Sequence, residues 1–237
     1  MKKSFLVFFL LFSVILFILF LKNKNKTHCE KVTFPDANLE AAIRSVINKP
    51  KGNICRSDCE KITSLIQCLN SKGINNIQGM QYFKNLQELE MYDNQISDIN
   101  PLSGLTKLRY LNLSNNKIND ISALSGLTDL YSLNLANNQI VDISVLSSLT
   151  NLVYLTLSNN IISDIALLSG LLKLQGLYLN NNRIKDISPL VMNCKFGGLG
   201  IGDSIDLDGN QLNINDKNIK YLENKGVHAH FCNAAHE

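Results

Sequence analysis

The chain contains 237 residues, of which 45% are hydrophobic and 18% are charged. Its formal net charge of +3 arises in the first 31 residues, which hold six of the 23 basic residues and a single acid, Glu30. From Val32 onward 17 basic residues are set against 19 acidic ones. No basic stripe for a nucleic acid is expected on a folded part of this composition, which excludes nucleic-acid binding.

The first predicted element is an apolar run from Phe5 to Leu21, interrupted only by Ser13 and flanked by lysines. Its 17 residues exceed a usual signal-peptide core and reach the lower limit for spanning a bilayer. No small-residue cleavage pattern follows. The sequence therefore predicts an export signal that is retained as a membrane anchor, with cleavage and secretion as the alternative.

A short amphipathic helix is predicted next. Leu39, Ile43, Val46 and Ile47 share one helical face, as expected for an element that covers the end of a larger apolar stack.

A repeat of 22 residues follows, five times between Asn85 and Asn193, with the pattern LxxLxLxxNxIxDIxxLxxL. The period predicts a solenoid. Alternating leucines such as Leu111 and Leu113 predict a short strand in each unit, and the later apolar residues, spaced by threes, predict a tight helical return. A degenerate earlier unit contributes Ile74, Ile77, Met80 and Phe83. The central leucine column comprises Leu89, Leu111, Leu133, Leu155 and Leu177.

Two polar columns accompany the leucines. One comprises Asn94, Asn116, Asn138, Asn160 and Asn182, whose amides are expected to satisfy backbone groups at the bend after each strand. The other comprises Asp98, Asp120, Asp142, Asp164 and Asp186. These carboxylates are interpreted as acceptors for backbone N–H groups at the turn, with Asn100, Ser122, Ser144 and Ser188 as further cap candidates. A calcium ladder is the alternative, although a column supplies few of the oxygens that calcium needs.

A second cap is predicted at the C-terminus. Asp216 to Lys225 fits a helix with Ile219 and Leu222 inward, stopped by Gly226. Val227, Ala229 and Phe231 then alternate with His228 and His230, which predicts a closing strand.

The repeat resembles that of bacterial internalin-type leucine-rich repeat proteins, whose units carry NxIxDIxxLxxL. Residues 34–44 are similar to the helical N-terminal cap of that family, residues 53–65 to the helix before its first strand, and residues 197–210 to its irregular last coil. The resemblance implies an α/β leucine-rich repeat solenoid with parallel strands on a concave face. It also implies a helical N-terminal cap and an irregular helix and strand as the C-terminal cap.

We divide the chain accordingly into four parts. Residues 1–31 are the signal anchor or signal peptide with a short basic linker, 32–61 the helical N-terminal cap, 62–192 the repeats, and 193–237 the C-terminal capping coil, helix and strand. The folded part is expected outside the cytoplasm of a bacterial cell, held at the membrane or secreted if the signal is cleaved.

Six cysteines in an exported chain predict disulfides within the caps: Cys29, Cys55, Cys59 and Cys68 at the start, Cys194 and Cys232 at the end. A bridge between Cys194 and Cys232 is attractive, but the strand alternation places Cys232 on the solvent side, which leaves it open. Zinc ligation by Cys55 and Cys59, or by His228, His230 and Cys232 with His236, is the less favoured interpretation. We expect no cofactor and no metal.

Residues that flank the buried leucines are expected to project from the concave face. Tyrosine there offers rigid anchors, Asn and Thr offer adaptable hydrogen bonds, and acids at both ends are suited to steering a basic partner. The predicted binding residues are Glu88, Glu90, Tyr92, Tyr110, Asn112, Asn134, Tyr154, Thr156, Tyr178, Asn180, Asp206 and Asp208.

No phosphate loop, nucleophile motif or carboxylate pair in a cleft is recognisable, so we expect no enzyme. The function predicted is recognition of a macromolecule, above all a protein, in surface adhesion or host interaction. The sequence shows neither the immunoglobulin-like module nor the sorting signal of internalin-type adhesins. A structural envelope scaffold without a specific ligand, and saccharide binding, are the alternatives.

Overall fold

The computed structural model describes residues 29–213 and 217–231. Within them, an eight-stranded parallel sheet has its strands in chain order, as the repeat predicted. The predicted segment Phe5 to Leu21 lies outside the described residues. No helix within the described residues is long and apolar enough to cross a membrane. The strands are β3 (Ser64–Leu65), β4 (Glu88–Glu90), β5 (Tyr110–Asn112), β6 (Ser132–Asn134), β7 (Tyr154–Thr156), β8 (Gly176–Tyr178), β9 (Ser204–Asp206) and β10 (His228–His230).

The register of the sheet follows the repeat period, because each leucine of the central column pairs with the leucine one unit later. Leu111 lies opposite Leu133, and Leu155 opposite Leu177. All five leucines of this column are at most 1% exposed. Stacking therefore builds one continuous apolar core, and the residues on either side of each leucine face solvent.

Each strand is followed by a bend and a return segment that contains a 3₁₀ helix. Their apolar residues at the predicted spacing of three, such as Ile118, Ile121, Leu124 and Leu127, are buried. The 3₁₀ helices are η1 (Met80–Tyr82), η2 (Asn100–Leu102), η3 (Ser122–Leu124), η4 (Ser144–Ser148) and η5 (Ala166–Gly170).

The asparagine column joins adjacent coils, as expected. Nδ2 of Asn138 donates to the carbonyls of Leu113 (3.1 Å) and Leu135 (3.0 Å), and its Oδ1 accepts the N–H of Ile118 at 3.0 Å. The same pattern recurs at Asn116 and Asn160. These backbone groups leave the sheet at the bend and would otherwise be buried without partners.

The aspartate column caps the return segments. In every case Oδ1 accepts the backbone N–H two residues later, at 2.8 Å for Asp120 and Ser122 and 2.9 Å for Asp98 and Asn100. The expectation that Asn100, Ser122, Ser144 and Ser188 act as further caps was wrong. They are the first residues of their helices, and their backbone N–H groups are what the aspartates bind.

The N-terminal cap comprises β1 (Lys31–Val32), α1 (Ala37–Val46), β2 (Ile54–Cys55) and α2 (Arg56–Cys59). Asp36 attaches it to the solenoid: Oδ1 accepts the N–H groups of Asn38 and Leu39, and Oδ2 accepts those of Asn75 and Asn76. Four backbone donors thus converge on one carboxylate that is only 8% exposed.

A disulfide joins Cys29 to Cys55 in this cap. This confirms a bridge within the N-terminal cap. It also contradicts the zinc interpretation of Cys55 and Cys59, because a sulfur in a disulfide is not available as a thiolate ligand. The proposed bridge between Cys194 and Cys232 and the ligand group with Cys232 and His236 lie partly outside the described residues.

The C-terminal cap contains α3 (Ser188–Lys195), α4 (Lys217–Asn224) and the last two strands. Asn193 of α3 is fully buried, and its Nδ2 donates to the carbonyls of Leu168 and Leu171 in the coil before. The lengthened last coil thus accommodates a true helix in place of a 3₁₀ turn. Ile219 and Leu222 are buried and Gly226 has a φ of +81°, as predicted.

Candidate functional site

The solvent-facing side of the parallel sheet, here called the concave face, carries the predicted binding residues. The structure places all twelve on the strands or at the bend just after them, and none is buried. They spread along the whole sheet and do not converge on one point. Their surroundings divide them into locally bonded residues and residues whose side chains remain exposed.

Several of the predicted polar residues are occupied by local hydrogen bonds. Oδ1 of Asn112 accepts the backbone N–H and the hydroxyl of Ser114, and Oδ1 of Asn134 accepts the N–H of Ala136. Oδ1 of Asp206 accepts the N–H of Asp208 at 3.1 Å. These side chains fasten the bend after the strand and are less free to bond a partner than the sequence implied.

Asn180 is likewise held, because the Ser158 hydroxyl donates to its Oδ1. Thr156 is half-buried between Asn134 and Tyr178, which are its neighbours across the sheet.

Glu90 and Tyr110 form a fixed pair near the start of the sheet. The Tyr110 hydroxyl donates to Oε1 of Glu90 at 3.1 Å, while Oε2 accepts the N–H of Gln67 at 3.0 Å and Nδ2 of Asn70 at 3.1 Å. Partial burial and the negative charge of Glu90 raise the pKa of the Tyr110 phenol. The pair therefore has a structural role at neutral pH, in which a charged carboxylate receives three donors.

Three exposed aromatic rings lie together farther along the sheet, and we call Tyr131, Tyr154 and Tyr178 the tyrosine cluster. They are 44%, 43% and 42% exposed. The rings of Tyr131 and Tyr154 meet edge to face, with centroids 5.5 Å apart. Partial desolvation and the neighbouring Tyr154 phenol raise the pKa of Tyr131. The cluster presents more exposed aromatic surface than any single predicted residue suggested.

Gly176 makes room for this cluster. It stands directly beside Tyr154 in the register of the sheet, at a position filled by Glu88, Tyr110 and Ser132 in other coils. A Cβ atom there would lie 2.9 Å from Cδ1 of Tyr154 and 3.6 Å from Cε2 of Tyr178. The two rings therefore border a site that no side chain occupies.

Tyr131 was missed in the sequence. It precedes the strand β6 by one residue and so falls outside the alternation that defines the strand. A signal was present, since the column of Gln87, Arg109, Tyr131, Val153 and Gln175 holds no residue of the buried leucine pattern.

Charges on the concave face are mostly acidic. Glu88 and Asp93 are exposed near its start, and Asp206 and Asp208 are half-exposed near its end. Arg109 lies between them and, with Gln87, Glu88, Tyr110 and Tyr131, lines a shallow hollow of about 260 Å³. This hollow opens beside the tyrosine cluster, because Tyr131 belongs to both.

Reactive chemistry has little support in the described residues. They hold no group of three or more His, Cys, Asp or Glu side chains that would bind a metal ion. Burial, with the carboxylates of Asp58 and Glu60, raises the pKa of the Cys59 thiol to about 12. Burial also raises the pKa of Cys68. Both thiols are therefore protonated near neutral pH and are poor nucleophiles.

Comparisons with known proteins agree with this geometry. A family model described as leucine-rich repeats in two copies matches residues 84–126, 106–148 and 128–171. The chain is similar to internalin C2 of Listeria monocytogenes, with 31% identity and a TM-score of 0.62, over 84% of this chain and 94% of that one. No curated protein sequence matches significantly.

Two further solved structures are similar. A leucine-rich repeat protein of Leptospira interrogans has 28% identity and a TM-score of 0.58, over 68% of this chain and 40% of that one. The functional domain of InlJ from Listeria monocytogenes has 22% identity and a TM-score of 0.66, over 85% of this chain and 46% of that one, and this likeness concerns the fold alone.

Proposed function

Because the chain belongs to the internalin-type leucine-rich repeat family, we propose that it is an exported protein that binds a protein partner through its concave face. Leucine-rich repeat folds are extended scaffolds whose curved strand surface commonly serves protein recognition. Adhesion to another cell surface is the biological setting that the family favours.

Export and anchoring are supported by the apolar segment Phe5 to Leu21 and by the disulfide between Cys29 and Cys55, since stable disulfides belong to oxidising compartments. On this proposal residues 1–31 direct export, 32–61 and 193–237 cap the ends, and 62–192 carry the binding face. The membrane segment holds the solenoid on the outer side of the membrane.

The tyrosine cluster is the observation that carries the proposal. Tyrosine gives a large contact area at low entropic cost, and clustered aromatic residues are the typical anchors of protein interfaces. Here three rings are exposed together around Gly176, on a rigid sheet whose other polar side chains are largely satisfied. Exposed aromatic surface held this firmly has no role in the core and is available to a partner.

The acids at both ends of the face favour a partner with a basic surface. Glu88 and Asp93 on one side and Asp206 and Asp208 on the other would attract such a surface over several Ångströms and orient it along the sheet. Their contribution would fall with rising salt concentration.

Affinity capture with the full chain in detergent tests the proposal. The parent is compared with a Tyr154→Ser and Tyr178→Ser double variant, and with Val141→Ser as the control, since Val141 is 56% exposed on the return side. The proposal predicts a discrete protein captured by the parent and the control and lost from the double variant.

Other outcomes assign other functions. Capture of a glycan that also depends on Tyr154 and Tyr178 would indicate saccharide binding through the same rings. Equal capture by all three proteins, or no capture from any extract, would contradict concave-face recognition and favour a scaffold in the cell envelope.

A further inference from the structure

The loop between α3 and β9 exposes two large apolar side chains at the C-terminal cap. Phe196 is 61% exposed and Ile201 is 92% exposed. Met192 lies one helical turn before Phe196 and is 40% exposed, so it extends the same apolar surface. None of these residues lies on the concave face, and concave-face binding leaves them unexplained.

Their exposure is imposed by the structure around them. Leu199, between Phe196 and Ile201, is 1% exposed, and its N–H donates to the buried Oδ1 of Asn193 at 2.8 Å. The loop is thus fastened at its centre, and the residues on either side are held outward.

A second contact fixes Ile201. Its backbone packs against Gly226, where an added Cβ would lie 3.1 Å from Ile201 Cα and 3.0 Å from its Cγ1. The Gly202 N–H donates to the Gly226 carbonyl at 3.0 Å. No side chain on Gly226 covers Ile201, which therefore remains open to solvent.

Lysines border this apolar surface. The ammonium groups of Lys195 and Lys225 lie 5.6 and 5.7 Å from the centre of the Tyr221 ring, so both are held beside the loop by cation–π contacts. Lys195 directly precedes Phe196, and Lys225 directly precedes Gly226. Lys217 and Lys220 on α4 are also exposed, with Glu223 as the exposed acid of that helix.

We propose that the C-terminal cap docks on an anionic membrane surface, with Phe196 and Ile201 entering the interface and Lys195 and Lys225 meeting lipid phosphates. A protruding pair of apolar side chains ringed by ammonium groups matches the layered chemistry of such a surface, in which hydrocarbon lies beneath negative headgroups. A protein partner would instead favour a pocket or groove with matching shape. The proposal is independent of what the concave face binds.

The chain has no tryptophan, so a tryptophan placed in the loop is a reporter without background. The full chain carrying Ile201→Trp is mixed with vesicles of phosphatidylglycerol and phosphatidylcholine, and with vesicles of phosphatidylcholine alone. Val141→Trp, on the return side away from the cap, is the matched control. If residues 1–28 attach the chain to vesicles, both reporters reach the bilayer equally, and only their local surroundings differ.

The proposal predicts a blue shift of the Ile201→Trp emission on anionic vesicles, with quenching by brominated acyl chains. Both effects should weaken when Lys195→Gln and Lys225→Gln are added, and Val141→Trp should keep its aqueous emission. Phe196→Trp serves as a second reporter if Ile201→Trp lowers the melting temperature. Aqueous emission from both loop reporters on vesicle-bound protein would overturn the proposal, as would equal shifts at Val141, or a shift produced only by an added protein.

Discussion

The ring of Tyr154 lies over Gly176, so close that a Cβ atom on the glycine would come within 2.9 Å of Cδ1 of the ring. Neighbouring coils hold larger residues at this register position, Tyr154 itself and Ser204. The arrangement of the tyrosine cluster therefore depends on one missing side chain.

Gly176→Ala tests this dependence. The new methyl group must displace the Tyr154 ring, and we expect about a tenfold loss of affinity for the captured partner, equivalent to about 1.4 kcal/mol. Gly170→Ala is the control, because an added Cβ there meets nothing within 4 Å. Titration calorimetry measures both, and equal affinities for the two variants would separate the cluster from binding.

Removal of one rung of the asparagine column should destabilise the whole solenoid. Asn138→Ala leaves the Ile118 N–H and the carbonyls of Leu113 and Leu135 buried without this partner, and we expect a loss of about 3 kcal/mol in the free energy of unfolding. The exposed Asn119→Ala should change it by less than about 0.5 kcal/mol. Urea denaturation compares them, and a loss below about 1 kcal/mol for Asn138→Ala would argue against the structural role.

Asp36 should make the N-terminal cap sensitive to acid. Burial opposes its charge, but the N–H groups of Asn75, Leu39, Asn76 and Asn38 outweigh this and lower the pKa of its carboxyl. A carboxyl whose pKa is lower in the folded state stabilises that state fully above its ordinary pKa, near 3.8. The stabilisation is lost as the pH falls toward the lowered value.

Asp36→Asn keeps the shape but removes the charge and half of the acceptors, and should cost about 2 kcal/mol at pH 7. The difference in melting temperature between parent and variant should shrink as the pH falls below the ordinary value. A difference that stays constant down to strong acid would contradict the charged role of Asp36.

The disulfide between Cys29 and Cys55 should stabilise the N-terminal cap. It closes a loop with a sequence separation of 26, which corresponds to about 3.5 kcal/mol of lost chain entropy in the unfolded state. A Cys29→Ser and Cys55→Ser variant should match the reduced parent in thermal unfolding. If reducing agent lowers the variant further, a second bridge is present, as predicted for Cys194 and Cys232. No change in the parent on reduction would contradict the stabilising role.

Much of the fold is predictable because the period leaves little freedom. Once Leu111 and Leu133 stack, the positions of Asn116 and Asn138 and of the strand faces follow from the spacing of 22 residues. The pairing of Cys29 with Cys55 could not be derived in the same way, since the caps lack the repeat and several pairings fit the sequence equally.

The binding face was predicted less well, because exposure does not show what a side chain already bonds. Asn112 and Asn134 face solvent as expected, yet each accepts a bond from its own bend. The importance of Gly176 depends on the ring beside it in three dimensions, and that contact joins residues 22 positions apart.

Site-specific photo-cross-linking tests concave-face recognition most directly. A photoreactive phenylalanine analogue replaces Ser132, which lies between Tyr110 and Tyr154 in the register, or Val141 on the return side. Our account predicts a discrete protein adduct from position 132 that disappears with Tyr154→Ser and Tyr178→Ser, and none from position 141. An adduct from position 141 alone, or one from position 132 that persists without the two tyrosines, would contradict it.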